Sequence, residues 1–176
     1  MENEVKSTTI YNGRVFDLRQ DQVRLPNGRV THLDIVEHPG AVVMVPVDAQ
    51  GNLWFVRQYR HAAGKWLLEL PAGTLEEGED IESCAHRELR EEIGMAAGKV
   101  QKIGEFYIAP GYSTEFLHIY LASDLSPAPL PGDDDEFIQV ESLTIDQAYA
   151  LAGQGSIPDA KTLAALFLAR PYLGQV

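Results

Sequence analysis

Glu88, Glu91 and Glu92 are spaced three and four residues apart in a stretch whose apolar residues, Ile81, Ala85, Leu89 and Ile93, recur every four. That period predicts a helix from Asp80 to Ile93, with Gly94 placed to end it in a left-handed conformation. At about 100° per residue, Glu91 and Glu92 fall within about 60° of Glu88, and the trio borders the apolar stripe. A merely solvated acidic face, the ordinary reading of a charge run, would stand opposite that stripe. The carboxylates therefore lie at the edge of the protein body, lining a cleft. Like charges at these spacings repel by about 0.2–0.5 kcal/mol per pair, and partial burial adds to the cost unless a cation sits between them. Mg²⁺ suits such a site, because it takes carboxylate oxygens, keeps waters and bridges to phosphate. No His or Cys joins the trio at a zinc-like spacing: His86 points away, and Cys84 reads as a small buried residue. Arg87, Arg90 and Ser83 fall on the outward arc.

The helix belongs to an acidic chain. Its 176 residues carry 14 Lys+Arg against 26 Asp+Glu, a formal net charge of −12. Between Gly73 and Met95 eight carboxylates face two arginines, so half of that net charge sits in this one segment. A second acidic knot, Asp133-Asp134-Asp135-Glu136, follows a Pro-rich stretch from Ser126 to Gly132. The acidic balance argues against nucleic acid as a partner, since phosphate neutralisation needs a basic surface. The single Cys excludes an internal disulfide framework and fits a reducing compartment. The charged N-terminus is unlike a signal peptide. The longest apolar runs, Ala41–Val47 and Leu163–Ala169, are too short to span a bilayer. A cytoplasmic domain with no membrane partner is the expectation.

The surrounding pattern shows how the helix is held. The first third reads as β, with Gln22–Leu25 and Val30–Glu37 flanking the turn Pro26-Asn27-Gly28. Ala41–Val47 is a continuous apolar run, as expected of a strand buried on both faces. Leu53–Arg57 and Trp66–Leu70 continue the sheet, the latter stopping at Pro71. Val100–Tyr107 and Glu115–Ala122 read as a strand pair around Ala109-Pro110-Gly111-Tyr112, and Phe137–Val140 as a short strand. Ile145–Ala152 and Asp159–Ala169 read as helices. Trp54 and Trp66 are read as core packing, and His38 and His61 as structural or surface histidines. Sheet inside and helices outside make an α/β (α+β) sandwich. The expected division is an N-terminal antiparallel β-region, residues 1–40, within one domain, and the remainder, 41–176.

Gly73, Glu79, Arg87-Glu88-Leu89, Glu91-Glu92 and Gly94-Met95 together resemble the Nudix box at each of its defined positions. The resemblance extends over nearly the whole chain. Val36-Glu-His-Pro-Gly-Ala-Val42, Val56-Arg-Gln-Tyr-Arg60, Glu69-Leu-Pro-Ala-Gly73, Ala109-Pro-Gly111 and Asp159-Ala-Lys-Thr162 look like the ADP-ribose pyrophosphatase subfamily. Its marker proline, Pro110, follows Gly94 by 16 residues. The resemblance implies the Nudix fold, an α/β/α sandwich around a mixed sheet. It also implies hydrolysis of ADP-ribose to AMP and ribose 5-phosphate with Mg²⁺, or with Mn²⁺ or another divalent cation in its place.

Carried over position by position, the resemblance makes Glu88, Glu91, Glu92 and the Ala72 carbonyl the metal ligands. Arg87 would orient a box glutamate, with Glu91 one turn away as a candidate. Arg60 would contact the diphosphate, while Arg57 should face the other side of its strand. Glu76 and Glu115 match acidic positions near the terminal ribose or a second metal, and Pro110 and Gly111 belong to the substrate loop. Glu136 matches the loop glutamate that serves as general base, with Asp133, Asp134 and Asp135 as neighbouring alternatives. Members of the subfamily are typically homodimers whose N-terminal strands complete the partner's site.

One stretch departs from the pattern. Many relatives carry Arg, often followed by Glu, where this chain has Leu33-Asp34; His32 is the only cationic donor nearby, and Asp34 keeps an acid one methylene shorter. Loss of a bidentate donor implies relaxed selectivity, so a broader nucleoside diphosphate sugar pyrophosphatase is the alternative. A non-catalytic nucleotide-sugar sensor is the alternative of another class; it is disfavoured by the intact box and the absence of residues for a second domain.

Overall fold

The computed structural model describes residues 5–132 and 137–174. Three strands, β1 (Val5–Asn12), β2 (Asp17–Arg24) and β3 (Val30–Glu37), form an antiparallel sheet of their own. The four-stranded sheet beyond it has the order β7 (Ala72–Thr74), β4 (Ala41–Pro46), β9 (Phe116–Pro127), β8 (Met95–Tyr107). It is mixed, because β4 runs parallel to β9 and antiparallel to β7. A third sheet orders β10 (Ile138–Thr144), β5 (Asn52–Arg60) and β6 (Lys65–Glu69).

Every residue of β4 is buried, which explains its unbroken apolar run. Val43 and Val45 join Leu53, Phe55, Leu117 and Ile119 in one core, covered by helices α2 (Ile145–Gly153) and α3 (Ala160–Ala169). Val42 and Met44, on the opposite face, join Val56, Tyr120 and the apolar side of α1 (Ile81–Glu92). The strand is thus the centre of an α/β/α sandwich with a mixed sheet. Leu89 is fully buried on α1, a burial that stabilises by about 1.5–3 kcal/mol. Asp80 caps the helix by accepting from the Ser83 N–H at 3.0 Å, and Gly94, at φ 69°, ends it in the left-handed region.

Some elements differ from the sequence reading. The β8–β9 hairpin starts at Met95, directly after the helix, with Met95 opposite Pro127. Its Gly- and Ala-rich beginning carries little strand propensity, and pairing with β9 together with packing of Met95 and Ala97 against the α1-side core holds it extended. The short β7 lies beyond Pro71, where the sequence reading ends the strand and names no further one. Trp66 is not core: it is 45% exposed on edge strand β6 and meets Tyr59 edge-to-face at 5.9 Å. Trp54 packs against the α1-side core and donates its indole N–H to Asp48 at 3.1 Å. No described helix is long and apolar enough to cross a membrane.

Candidate active site

A cavity of about 780 Å³ opens where α1, the ends of β4 and β5, the first turn of α3 and the β1–β2 turn meet. One wall is acidic: Glu76, Glu88, Glu91 and Glu115 line it. Glu88 and Glu92 are buried, only 8% and 6% exposed. Glu92 accepts from the Ala72 N–H at 2.9 Å, which ties the helix to β7. Gly73 is there for room: a Cβ on it would fall 1.8 Å from Cδ of Glu88.

Arg87 organises this wall. Its Nη1 donates to Glu88 at 2.6 Å and to Glu91 at 2.9 Å, while Nε and Nη2 grip Glu79 at 2.8 and 3.0 Å. The helical wheel assigned Arg87 to the outward arc, but its long side chain folds back along the helix to reach these carboxylates. Its hydrogen bonds to Glu79 hold that carboxyl down at about 2 and raise the guanidinium's own pKa. Burial pushes the Cys84 thiol well above its ordinary range, the behaviour of an inert packed residue. Among the described residues no three His, Cys, Asp or Glu side chains are arranged as a metal cage; the Arg87 guanidinium lies between Glu88 and Glu91. The donor types nonetheless fit a hard divalent cation: carboxylate oxygens and a backbone carbonyl beside a cavity, with a glycine giving the carboxylate space.

The Glu79–Arg87 pair gives a pH-dependent prediction. A carboxyl depressed from 4.5 to about 2 contributes stability that is fully present above its ordinary value. That contribution is lost as pH falls through about 2. Thermal midpoints of the wild type and Glu79→Gln should differ most near neutral pH and converge in acid. A gap independent of pH would show that the charge of Glu79 contributes nothing to stability.

Cations line the same cavity. Arg60 and Lys161 line the cavity, and both bind the buried Glu69. Its hydrogen bonds to Glu69 raise the pKa of Arg60 against the effect of burial, with Glu92 and Asp159 adding to the field. Arg57 faces away and pairs with Glu141. Arg14 and Val15, in the β1–β2 turn, also line the cavity, as does His38. His38 Nδ1 accepts from the Gly40 N–H at 3.0 Å, which leaves Nε2 as the protonated nitrogen of the neutral ring.

Several residues singled out in the sequence lie elsewhere. Pro110 and Gly111 form an exposed turn whose role in the fold is docking: Val36 donates to the Tyr112 carbonyl at 2.8 Å, and Thr114 to the Val36 carbonyl at 3.0 Å. Asp34 is exposed on β3, accepting from Gln20 at 2.9 Å, and neither it nor Leu33 lines the cavity. Glu136 lies outside the described residues, with Asp133–Asp135. The preceding segment is anchored on α1, through Leu130 N–H to the Arg90 carbonyl at 3.0 Å and Arg90 Nε to the Ala128 carbonyl at 2.9 Å. Arg14, Glu69 and Lys161 have no site role in the sequence reading, and His38, read there as a structural or surface histidine, lines the cavity. Glu69 and Lys161 stand within the Glu69–Gly73 and Asp159–Thr162 motifs, and this was the available signal.

A carboxylate-bearing helix and fixed cations lining one cavity, on this sandwich, define a hydrolase of the Nudix class. The chain belongs to the Nudix family: the NUDIX domain matches residues 37–166. The nucleoside diphosphate sugar hydrolase N-terminal domain matches residues 3–32. The chain is 40% identical over 167 residues to the ADP-ribose pyrophosphatase of Bacillus subtilis (strain 168), covering 94% of this chain and 90% of that protein. It is 38% identical, with the same coverage, to the methanol dehydrogenase activator of Bacillus methanolicus. The crystal structure of an ADP compounds hydrolase superposes with a TM-score of 0.86 at 25% identity, covering 99% of this chain and 95% of that one.

Proposed function

We propose that the protein hydrolyses the diphosphate bond of ADP-ribose to AMP and ribose 5-phosphate. The observation that carries this is the cavity itself, lined both by carboxylates, Glu76, Glu88, Glu91 and Glu115, and by the cations Arg60 and Lys161. Kinship with ADP-ribose pyrophosphatases supplies the nucleotide sugar. A divalent cation, Mg²⁺ or Mn²⁺, supplies charge neutralisation and a lowered water pKa when bound. Glu88, Glu91, Glu92 and the Ala72 carbonyl would hold it, with Arg87 setting the carboxylate rotamers. Arg60 and Lys161 bind the diphosphate's negative charge and stabilise the charge that grows on its oxygens as water attacks phosphorus. Glu136 takes the proton of that water, and the bond from phosphorus to the bridging oxygen breaks. The anchoring of Ala128 and Leu130 on α1, the helix that carries the carboxylates, supports this role. Glu76 and Glu115 shape the sugar end of the cavity, and the Pro110-Gly111 turn braces the strand that leads into it.

We further propose a cytoplasmic homodimer, with residues 1–40 as the dimerising β-region of the domain and 41–176 as its catalytic body. Ile10, Tyr11, Val30 and Leu33, apolar and exposed in the N-terminal sheet, support it.

A broader nucleoside diphosphate sugar pyrophosphatase is favoured by the N-terminal match and by Leu33 in place of an arginine. Turnover of ADP-ribose, ADP-glucose, GDP-mannose, UDP-glucose and dinucleotides with Mg²⁺ or Mn²⁺ tests both readings. We expect ADP-ribose to be cleaved with preferences below about a hundredfold in kcat/KM, or about 2.8 kcal/mol. A larger preference refutes the broad reading, and no metal-dependent release of AMP refutes hydrolysis and leaves the sensor.

A further inference from the structure

Glu69 is a buried carboxylate to which the proposed reaction assigns nothing. It is 1% exposed at the end of β6. Both its oxygens are engaged: Arg60 Nε donates to Oε1 at 2.8 Å, and Arg60 Nη2 donates to Oε2 at 2.8 Å. Lys161 Nζ donates to Oε2 as well. Burial works to raise the pKa of Glu69, yet the two cations keep it below its ordinary value. The lysine is fixed from a second side, since Asp159 lies 3.0 Å from its Nζ and caps α3 by accepting from the Thr162 N–H at 3.0 Å. Thr162 in turn accepts from the Leu70 N–H at 2.9 Å, locking the first turn of α3 onto the end of β6.

Buried ion pairs rarely stabilise a fold more than apolar residues of the same volume do. Packing alone therefore gives no reason for a carboxylate here. What Glu69 does is geometric. Arg60 comes from the end of β5 and Lys161 from the first turn of α3, and one carboxylate sets both side chains on the same cavity wall. Glu69 occupies two of the five guanidinium N–H groups. Lys161 spends two of its three N–H groups on Glu69 and Asp159. The remaining donors are those a diphosphate could use.

We infer that Glu69 is a positioning residue: it sets Arg60 and Lys161 as one preorganised seat for the substrate's diphosphate. This rests on reading the cavity as a diphosphate site. Without the Glu69 charge the two cations repel, rotate apart and no longer converge on one anion.

The test uses the full chain with Glu69→Gln and Glu69→Asp. Binding of inorganic pyrophosphate is followed by calorimetry in chelator, beside steady-state kinetics. Glu69→Gln should weaken pyrophosphate at least about tenfold and raise KM by a similar factor, with kcat changing less. Lys161→Met should weaken binding in the wild type but add little to Glu69→Gln, because the lysine is already misplaced. Glu69→Asp, which keeps the charge one methylene shorter, should recover part of the loss. Pyrophosphate binding no tighter in the wild type than in Glu69→Gln overturns the inference, as does a fall in kcat at unchanged KM. If Glu69→Gln fails to fold, wild-type pyrophosphate binding by Glu69→Asp overturns it too, since loosened cations must bind more weakly. Pyrophosphate binding involves no turnover, so failure to cleave ADP-ribose would refute the proposed function without touching this result.

Discussion

Glu92→Gln is expected to leave a folded protein whose turnover is at least about a hundredfold lower, on the scale of the about 2.7–4 kcal/mol lost when one preorganised charge contact is removed. The substitution is chosen for what it preserves. Gln keeps the shape of Glu92 and an oxygen that still accepts from the Ala72 N–H, so the tie between α1 and β7 survives. What goes is the charge of a nearly buried carboxylate beside the cavity. On the proposed ligand set its removal would weaken a divalent cation's hold, and it lowers the field acting on Arg60. Thermal melting in the absence of metal should be close to wild type, while the metal concentration for half-maximal activity rises. Near-normal turnover at low Mg²⁺ in a folded variant would show that Glu92 is not a ligand.

The helix that carries this residue was the most legible part of the chain. Its period and Gly94 fix both ends within a residue, and burial of Ala85, Leu89 and Ile93 follows from the same wheel. The wheel failed at Arg87 because it projects Cα positions, whereas a long side chain reaches wherever partners await it. The buried strand β4 was legible for a similar reason, since a strand covered on both faces must be apolar throughout. β1 and the start of β8 were not, because polar, Gly- and Ala-rich strands owe their conformation to neighbours distant in sequence.

Legibility of the site divides along the same line. The carboxylates lie within one helix, so local spacing brings them together. The cationic wall is assembled from Arg14, Arg60 and Lys161 on three separate elements, joined by tertiary packing. Asp34 could not be placed in this way: the β2–β3 register pairs it with Gln20 on the surface of the N-terminal sheet, away from this chain's own cavity.

Gly73→Ala should affect activity as strongly, through space alone. Gly73 is not at positive φ, so alanine meets no backbone strain there. Its Cβ would nonetheless stand 1.8 Å from Cδ, 1.9 Å from Oε1 and 2.3 Å from Cγ of Glu88. No heavy atoms tolerate such distances, and the flexible side chain of Glu88 yields more easily than two paired strands. The carboxylate leaves its seat beside Glu92, and the hydrogen bond from Arg87 at 2.6 Å breaks or follows it. Stability should fall modestly, at the lower end of the about 1–3 kcal/mol typical of overpacking, because the displaced atoms end in a carboxylate at a cavity edge. Activity should fall at least about a hundredfold, since a displaced ligand is as ineffective as an absent one. Combining Gly73→Ala with Glu88→Gln provides the check, as both disable the same carboxylate. The double variant should be little less active than either single one, where independent effects would multiply. Multiplied losses, or a Gly73→Ala enzyme of near-normal activity, would mean that the glycine makes no room for Glu88.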